Sequence, residues 1–136
     1  MKLIVDANIL FAALIKDGMT SKLLFSDKLH LLTPEYIFLE FRKYEKIIIN
    51  KTKRTREDFR NFFGILKEKI QIIPEHIFRD YLQKAKEISP DPKDVIYIAC
   101  ALAKKANIWS YDRALRKNQT AIKIITTPEL VKKIAK

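Results

Sequence analysis

Residues 2–15, KLIVDANILFAALI, decide the fold class of this 136-residue chain. A run of β-branched and leucine residues ends at Val5, which is typical of a buried strand. After Asp6 the apolar residues recur at helical spacing, so a helix follows the strand directly. This order of strand and helix repeats along the chain, and no β-hairpin signal occurs. The sequence therefore predicts an α/β domain whose parallel sheet is covered by helices on both faces.

The other elements follow from the same two periodicities. The predicted strands are Lys2–Val5, Leu29–Thr33, Ile70–Ile73, Asn107 to about Asp112, and Ile122–Thr126. The predicted helices are Asn8–Ile15, Thr20–Ser26, Pro34–Asn50, a helix from Thr55 over Leu66, His76–Ile88, Asp94–Lys105, Arg113–Lys117 and a last helix from Thr127. Thr20 and Thr55 are expected to cap their helices. No repeat or linker interrupts the pattern, so we expect one domain over residues 1–136.

The composition excludes several classes of site. The only glycines are Gly18 and Gly64, which excludes a glycine-rich loop for nucleotide phosphates. Cys100 is the only cysteine and the chain has two histidines, so one chain can form neither a disulfide nor a Cys/His zinc site. Asp6 interrupts the apolar N-terminal run, and no later stretch is long enough to span a membrane. We therefore expect a cytoplasmic protein without membrane association.

Three aspartates are expected at one edge of the predicted sheet. Asp6 and Asp112 end strands and Asp94 begins a helix, and parallel sheets bind ligands where strand ends meet helix starts. Helix capping alone also explains each of them, and Asp91 fits the cap position of the helix that contains Asp94. Cap preference does not explain Glu40, which lies on the apolar side of another helix and should meet a positive charge there. A hard divalent cation held by all four carboxylates accounts for both observations.

The strings that contain these acids are IVDANIL around Asp6, FLEF around Glu40, DPKDVIYIACALA around Asp94 and IWSYDRAL around Asp112. In this order they resemble the PIN-domain ribonucleases, the family that contains the VapC-type toxins of toxin–antitoxin pairs. The resemblance extends from Met1 to about Thr126. It implies a parallel sheet in the strand order 3-2-1-4-5.

The resemblance also implies roles for individual residues. The catalytic acids that hold Mg²⁺ or Mn²⁺ are by resemblance Asp6, Glu40, Asp94 and Asp112, with Asn8 and Ser110 as polar neighbours. RNA is the implied substrate, a small antitoxin is the implied partner, and a homodimer is a common assembly of the family. The sequence departs from the family's pattern at Lys93 and after Asp112, where several relatives carry further acids. It also departs at Tyr111, where relatives often have Gly or Asn.

The excess of basic residues suits a polyanionic ligand. The chain has 27 Lys and Arg against 16 Asp and Glu, a formal charge of +11, and contacts of such residues to phosphates dominate nucleic-acid affinity. Arg113, Arg116 and Lys117 follow the last of the four acids and are predicted to contact the RNA backbone. Lys53 and Arg54 belong to the basic KTKRTR segment, which is either a further RNA contact or a solvated loop.

Three functions account for these residues. The first is a metal-dependent endoribonuclease of the PIN type, with the toxin of a toxin–antitoxin pair as its biological role. The second is a non-catalytic RNA-binding or scaffold protein of the same fold, which would bind single-stranded RNA but not cleave it with Mn²⁺. The third is a phosphatase or receiver-like domain. It is disfavoured because the first strand ends in Asp6-Ala7-Asn8 rather than in two closely spaced acids.

Overall fold

The computed structural model describes residues 1–15, 18–89 and 91–135. Its strands are β1 (Lys2–Val5), β2 (His30–Pro34), β3 (Gln71–Ile73), β4 (Asn107–Trp109) and β5 (Ile124–Ile125). Its helices are α1 (Ala7–Leu14), α2 (Gly18–Leu24), α3 (Ile37–Thr52), α4 (Arg56–Lys69), α5 (Glu75–Phe78), α6 (Leu82–Ile88), α7 (Val95–Lys104), α8 (Arg113–Lys117) and α9 (Thr127–Ala135). Short 3-10 turns at Arg79–Tyr81 and Pro92–Asp94 precede α6 and α7.

The five strands form one parallel sheet in the order β3-β2-β1-β4-β5. This confirms the predicted fold class and the strand order that the resemblance implied. The chain runs outward from β1 through β2 to β3, and then continues with β4 on the other side of β1. The boundary between β1 and β4 is therefore the point where the strand order reverses. In open parallel sheets, the crevice that binds ligands opens at this point, beyond the carboxyl ends of the strands.

Alternating strand residues fill two hydrophobic cores, one on each face of the sheet. Leu3 and Val5 belong to the core that contains residues of α1 to α4 and α9, whereas Ile4 belongs to the core that contains residues of α5 to α7. The same alternation separates Trp109 from Ile108 in β4. Since successive strand residues point to opposite faces and helices cover both faces, the interiors of the strands are apolar except for Thr33, whose hydroxyl donates to the Val5 carbonyl at 2.9 Å. The other polar side chains are left to the strand ends.

Strand β4 is shorter than predicted, and this difference shapes the site. The strand ends at Trp109, and a last backbone hydrogen bond joins the Ser110 amide to the Ile125 carbonyl at 3.2 Å, whereas the sequence predicts a strand that continues to about Asp112. The Asp112 amide donates to the Ser110 hydroxyl at 3.0 Å, so a local side chain takes the place of a neighbouring strand as its partner. Residues 110–112 consequently form a loop that leads into α8.

One of the two predicted threonine caps is confirmed and the other is wrong. Thr55 precedes α4, and its side chain accepts a hydrogen bond from the Asp58 amide at 3.0 Å. Thr20 instead lies inside α2, which contains residue 18. Its hydroxyl lies 2.9 Å from the Tyr111 hydroxyl, so it links α2 to the loop after β4.

Two predicted helices also have different boundaries. Pro34 does not open a helix, because it is the last residue of β2 and pairs with Ile73 of β3, and α3 begins only at Ile37. The predicted helix over residues 76–88 is broken after Phe78, whose φ of −111° and ψ of 2° lie outside the helical range. No glycine or proline marks this break in the sequence. No helix within the described ranges is long and apolar enough to cross a membrane.

Candidate metal centre

Asp6 and Ser110 face each other where the strand order reverses. Val5 of β1 is in register with Trp109 of β4, so the next residue of each strand continues the pair beyond the sheet. The buried Ser110 hydroxyl donates a hydrogen bond to Oδ2 of Asp6 and accepts one from the Asp112 amide. Ser110 thereby ties the loop that carries Asp112 to the carboxylate at the end of β1.

Asp6 and Asp112 are helix caps, as the simpler interpretation of the sequence proposes. Oδ1 of Asp6 accepts from the Ile9 amide at 3.2 Å, and Oδ1 of Asp112 accepts from the Leu115 amide at 3.0 Å. A carboxylate has about four lone-pair positions, so capping leaves capacity for another ligand. Capping also does more here than begin a helix, because it fixes the orientation of both carboxylates at the same edge of the sheet.

Asp94 is not explained by capping. Its side chain makes no capping hydrogen bond to α7, although it is the residue directly before that helix. Asp91 is the cap of this segment, because its Oδ1 accepts from the Lys93 amide at 2.9 Å and Pro92 follows at the first turn position. The capping interpretation is therefore correct for Asp91 and wrong for Asp94.

Glu40 has a partner that the sequence did not predict. The Tyr97 hydroxyl donates to Oε1 of Glu40 at 2.7 Å, and no Lys or Arg of the described ranges lies within 4.0 Å of this carboxylate. The expected positive partner is thus replaced by a neutral donor. Tyr97 is 4% exposed and follows Asp94 by three residues, which places both side chains on one face of the helix start. The spacing of three residues from Asp94 is the feature of the sequence that could have predicted Tyr97 as a residue of the site.

All four predicted acids line one pocket of about 320 Å³ at the carboxyl edge of the sheet. We call it the acidic pocket. Its lining residues are Asp6, Ala7, Asn8, Phe11, Glu40, Tyr44, Asp91, Lys93, Asp94, Tyr97 and Asp112. Among residues 1–15, 18–89 and 91–135, however, no three His, Cys, Asp or Glu side chains are grouped so that they could already hold an ion. The carboxylates converge on one pocket without forming a closed cage.

The ionised Asp6 carboxylate is disfavoured by burial and by the neighbouring negative charges. Burial raises the pKa of the Asp6 carboxyl to about 6, from an ordinary value of 3.8. Hydrogen bonds from Ser110 and the Ile9 amide act in the opposite direction, and the charges of Asp94 and Asp112 raise the pKa again. The ionised form of Asp6 is therefore costly in the folded protein without a cation.

Asp94 shows the same imbalance. Its pKa is also raised to about 6, first by burial and then by the negative charges of Asp112 and Asp91. Lys93 lowers it and Glu40 adds a smaller increase. Carboxylate oxygens are the preferred ligands of Mg²⁺ and Mn²⁺. The donor set and its uncompensated charge therefore fit a hard divalent cation.

The predicted RNA-contacting residues lie outside the lining of this pocket. Arg113 and Lys117 are exposed at the two ends of α8, while Arg116 forms an ion pair with Glu129 at 2.7 Å. The guanidinium of Arg54 lies 5.3 Å from the centre of the Phe62 ring.

Lys53 marks the corner between α3 and α4. It lies thirteen residues beyond Glu40, or about 20 Å along the helix axis at 1.5 Å per residue. Residues of the KTKRTR segment would therefore contact only those nucleotides of an RNA that lie far from the acidic pocket.

Replacing Ser110 with alanine should lower the free energy of unfolding by about 1–3 kcal/mol. The substitution removes the donor to the buried Asp6 carboxylate and the acceptor of the Asp112 amide. Urea denaturation at neutral pH in chelator measures the change. Ser26→Ala is the matched control, because the Ser26 hydroxyl accepts only an exposed amide, that of Lys28, and its loss should cost less than about 0.5 kcal/mol. Equal stabilities of the two variants would contradict the bridging role of Ser110.

Comparison with known proteins agrees with this architecture. The model of a family described as the PIN domain matches residues 4–133. No curated protein matches the sequence of this chain significantly.

Two solved structures share the fold at low sequence identity. One is the crystal structure of VapBC2 from Rickettsia felis bound to a DNA fragment from their promoter, with a TM-score of 0.67 and 14% identity over 93% of this chain and 98% of that chain. The other is a toxin–antitoxin complex from Klebsiella pneumoniae, with a TM-score of 0.60 and 15% identity over 92% of this chain and 97% of that chain. At such identities the likeness is one of fold.

Proposed function

This chain belongs to the PIN-domain family, and on that premise we propose that it is a metal-dependent endoribonuclease that hydrolyses RNA phosphodiester bonds. PIN-domain proteins are generally nucleases. The observation that carries the proposal is the convergence of Asp6, Glu40, Asp94 and Asp112 on one pocket. These acids come from four separate segments of the chain, and helix capping accounts for only two of them.

We assign the four carboxylates as the residues that would hold Mg²⁺ or Mn²⁺. When bound, such an ion would stabilise charge on the scissile phosphate and lower the pKa of an attacking water. Ser110 holds Asp6 in place, and Tyr97 does the same for Glu40. Burial and the charge of Glu40 raise the pKa of the Tyr97 phenol, so it remains a donor at neutral pH. Attack by water would leave a 5′-phosphate on one product.

RNA binding is assigned to basic residues around this pocket. Arg113 directly follows Asp112, and Arg116 and Lys117 continue along α8, so we retain all three as contacts to the RNA backbone. Arg116 would have to exchange its ion pair with Glu129 for a phosphate. Lys53 and Arg54 would contact only a longer RNA, and a solvated loop remains the alternative for them.

We also propose that the protein is the toxin of a toxin–antitoxin pair and binds a small antitoxin. The support is that two structures with the same fold are the VapBC2 and Klebsiella pneumoniae toxin–antitoxin complexes named above. Light scattering during size-exclusion chromatography would test both this complex and a homodimer. A neighbouring reading frame for a small protein would supply the candidate partner.

The second candidate is a non-catalytic RNA-binding protein with this fold. One observation favours it, because the described residues contain no group of three side chains that is already shaped to hold an ion. In this case the acids would persist as caps and hydrogen-bond acceptors, and the excess positive charge would bind RNA.

Removing the metal should abolish RNA cleavage. We expect the purified protein to cleave labelled single-stranded RNA with Mn²⁺ or Mg²⁺, to stop in chelator, and to recover when Mn²⁺ is added in excess. Gel electrophoresis gives the rate, and a 5′-phosphate on the new product should block its labelling by a kinase until a phosphatase is used. Cleavage that continues in chelator would contradict metal dependence. Binding without cleavage with either metal would favour the non-catalytic candidate.

A further inference from the structure

Lys93 is the only lysine or arginine that lines the acidic pocket in the part of the chain that the structure describes. It lies in the 3-10 turn Pro92–Asp94. The backbone of this turn is fixed, because the Lys93 amide donates to Asp91 at 2.9 Å and the Asp94 amide donates to the Asp91 carbonyl at 3.0 Å. The lysine is thus attached to a constrained segment at the pocket, between two of its acids.

The ammonium of Lys93 is not taken up by an ion pair. Within residues 1–15, 18–89 and 91–135 no carboxylate lies within 4.0 Å of it, and its side chain is exposed. Arg116 and Arg54 differ in this respect, since one is paired with Glu129 and the other lies over the Phe62 ring. Its charge nevertheless acts on the pocket, because it lowers the pKa of Asp94.

The charges that line the acidic pocket indicate which ligand the Lys93 ammonium is suited to bind. Counted over the residues that the structure describes, the lining of the acidic pocket contains five carboxylates and one ammonium. A phosphodiester that enters brings another negative charge, so it gains most from a cation that the protein can offer without breaking an existing pair. Lysine suits this task, since its ammonium is a compact charge with three donors on a flexible stem.

We infer that Lys93 binds a non-bridging oxygen of the RNA phosphate at the acidic pocket and is a substrate-binding residue. The inference rests on the proposed function. With Lys93 in this role, a cation of the protein contacts the phosphate inside the pocket. The basic residues of α8 do not line the pocket.

Lys93→Met, Lys93→Arg and Lys123→Met form a matched set of variants. Lys123 is also exposed, but it precedes β5 and so lies at the opposite, amino-terminal edge of the sheet. Fluorescence anisotropy with a labelled 12-nucleotide RNA and Ca²⁺ in place of Mn²⁺ gives the RNA dissociation constant, with intact RNA verified on a gel. The measurement is repeated over a range of salt concentrations. Titration with Mn²⁺ alone, without RNA, gives the metal dissociation constant.

Lys93→Met should bind RNA about ten-fold more weakly, which is the usual effect of losing one charged hydrogen bond. Its slope of log K against log salt should fall by about 0.7, the value for one phosphate contact on a single strand. It should bind Mn²⁺ as tightly as the wild type or more tightly, because a positive charge has left the pocket. Lys93→Arg and Lys123→Met should stay within about two-fold of the wild type for RNA.

Other outcomes would overturn the inference in distinguishable ways. Tighter Mn²⁺ binding with unchanged RNA binding would mean that Lys93 only screens the carboxylates. Weaker binding of both ligands by Lys93→Met would indicate a structural role. If the wild type binds and cleaves RNA but Lys93→Met matches it, only this inference is wrong. If the wild type neither binds nor cleaves RNA, the proposed function and this inference are both wrong.

Discussion

Replacing Asp94 with asparagine should lower the rate of RNA cleavage by roughly 10²–10³-fold, the usual effect of removing one electrostatic group from a catalytic site. The substitution nearly keeps the shape of the side chain and removes one of the negative charges that line the acidic pocket. It breaks no capping hydrogen bond, because the Asp94 side chain makes none. Single-turnover cleavage of labelled RNA at saturating Mn²⁺ measures the rate.

Asp58→Asn is the control for this experiment. Asp58 is exposed in the first turn of α4, next to the corner where α3 ends, and it does not line the pocket. Its replacement should leave the rate within about two-fold of the wild type. If Asp94→Asn retained full activity while both variants stayed folded by circular dichroism, Asp94 would have no part in the reaction.

The same Asp94→Asn substitution should raise the melting temperature in chelator, or at least not lower it. Burial contributes most to the raised pKa of Asp6, and the charges of Asp94 and Asp112 raise it further, so the metal-free pocket contains repulsion that the substitution reduces. Mn²⁺ at a hundred times its dissociation constant should stabilise the wild type by about 2.7 kcal/mol. This corresponds to a shift of roughly 10 °C for a chain of this size. The variant should gain much less from Mn²⁺.

The pH dependence of stability follows from the burial of Asp6 and Asp94 and from the negative charges around them. The pKa values of Asp6 and Asp94 are about 6 in the folded chain against an ordinary value of 3.8. Between these values the folded state binds more protons than the unfolded state, so stability increases as the pH falls through 6. Urea denaturation in chelator at pH 7.5 and 5.5 should therefore show greater stability at the lower pH. Asp94→Asn should show a smaller increase.

The opposite change in melting temperature would mean that Asp94 does not bind the metal. If Asp94 has only a structural role, the variant should melt at a lower temperature than the wild type in chelator. Mn²⁺ should then raise the melting temperatures of both proteins equally. Thermal denaturation with and without Mn²⁺ distinguishes the two cases without knowledge of the RNA substrate. Asp58→Asn should behave as the wild type under both conditions.

Local patterns in the sequence were sufficient for most of the secondary structure. β1 and α8 have the predicted bounds, and Thr55 caps α4 as expected. Errors occur at the ends of elements, where periodicity alone does not show which residue ends a strand or a helix. The Asp112 amide bonds to Ser110, so β4 ends early. The break after Phe78 has no marker in the sequence, because neither glycine nor proline causes it.

The sequence by itself determined the α/β class, the edge of the sheet at which Asp6, Asp94 and Asp112 lie, and the family. Strand and helix periodicity are local properties, and in a parallel sheet every strand ends at the same edge. The position of Glu40 on the apolar side of its helix identified it as the fourth acid, and the family resemblance added the strand order. Only the tertiary structure decided that Tyr97, rather than a cation, is the partner of Glu40.

The tertiary structure also decided that Lys93 lines the acidic pocket while the basic residues of α8 do not. The physical reason is sequence separation. The hydrogen bond between Tyr97 and Glu40 joins residues 57 positions apart, and the bond between Ser110 and Asp6 joins residues 104 positions apart. Such contacts depend on how the helices between the strands pack on the sheet, which no local pattern of residues specifies.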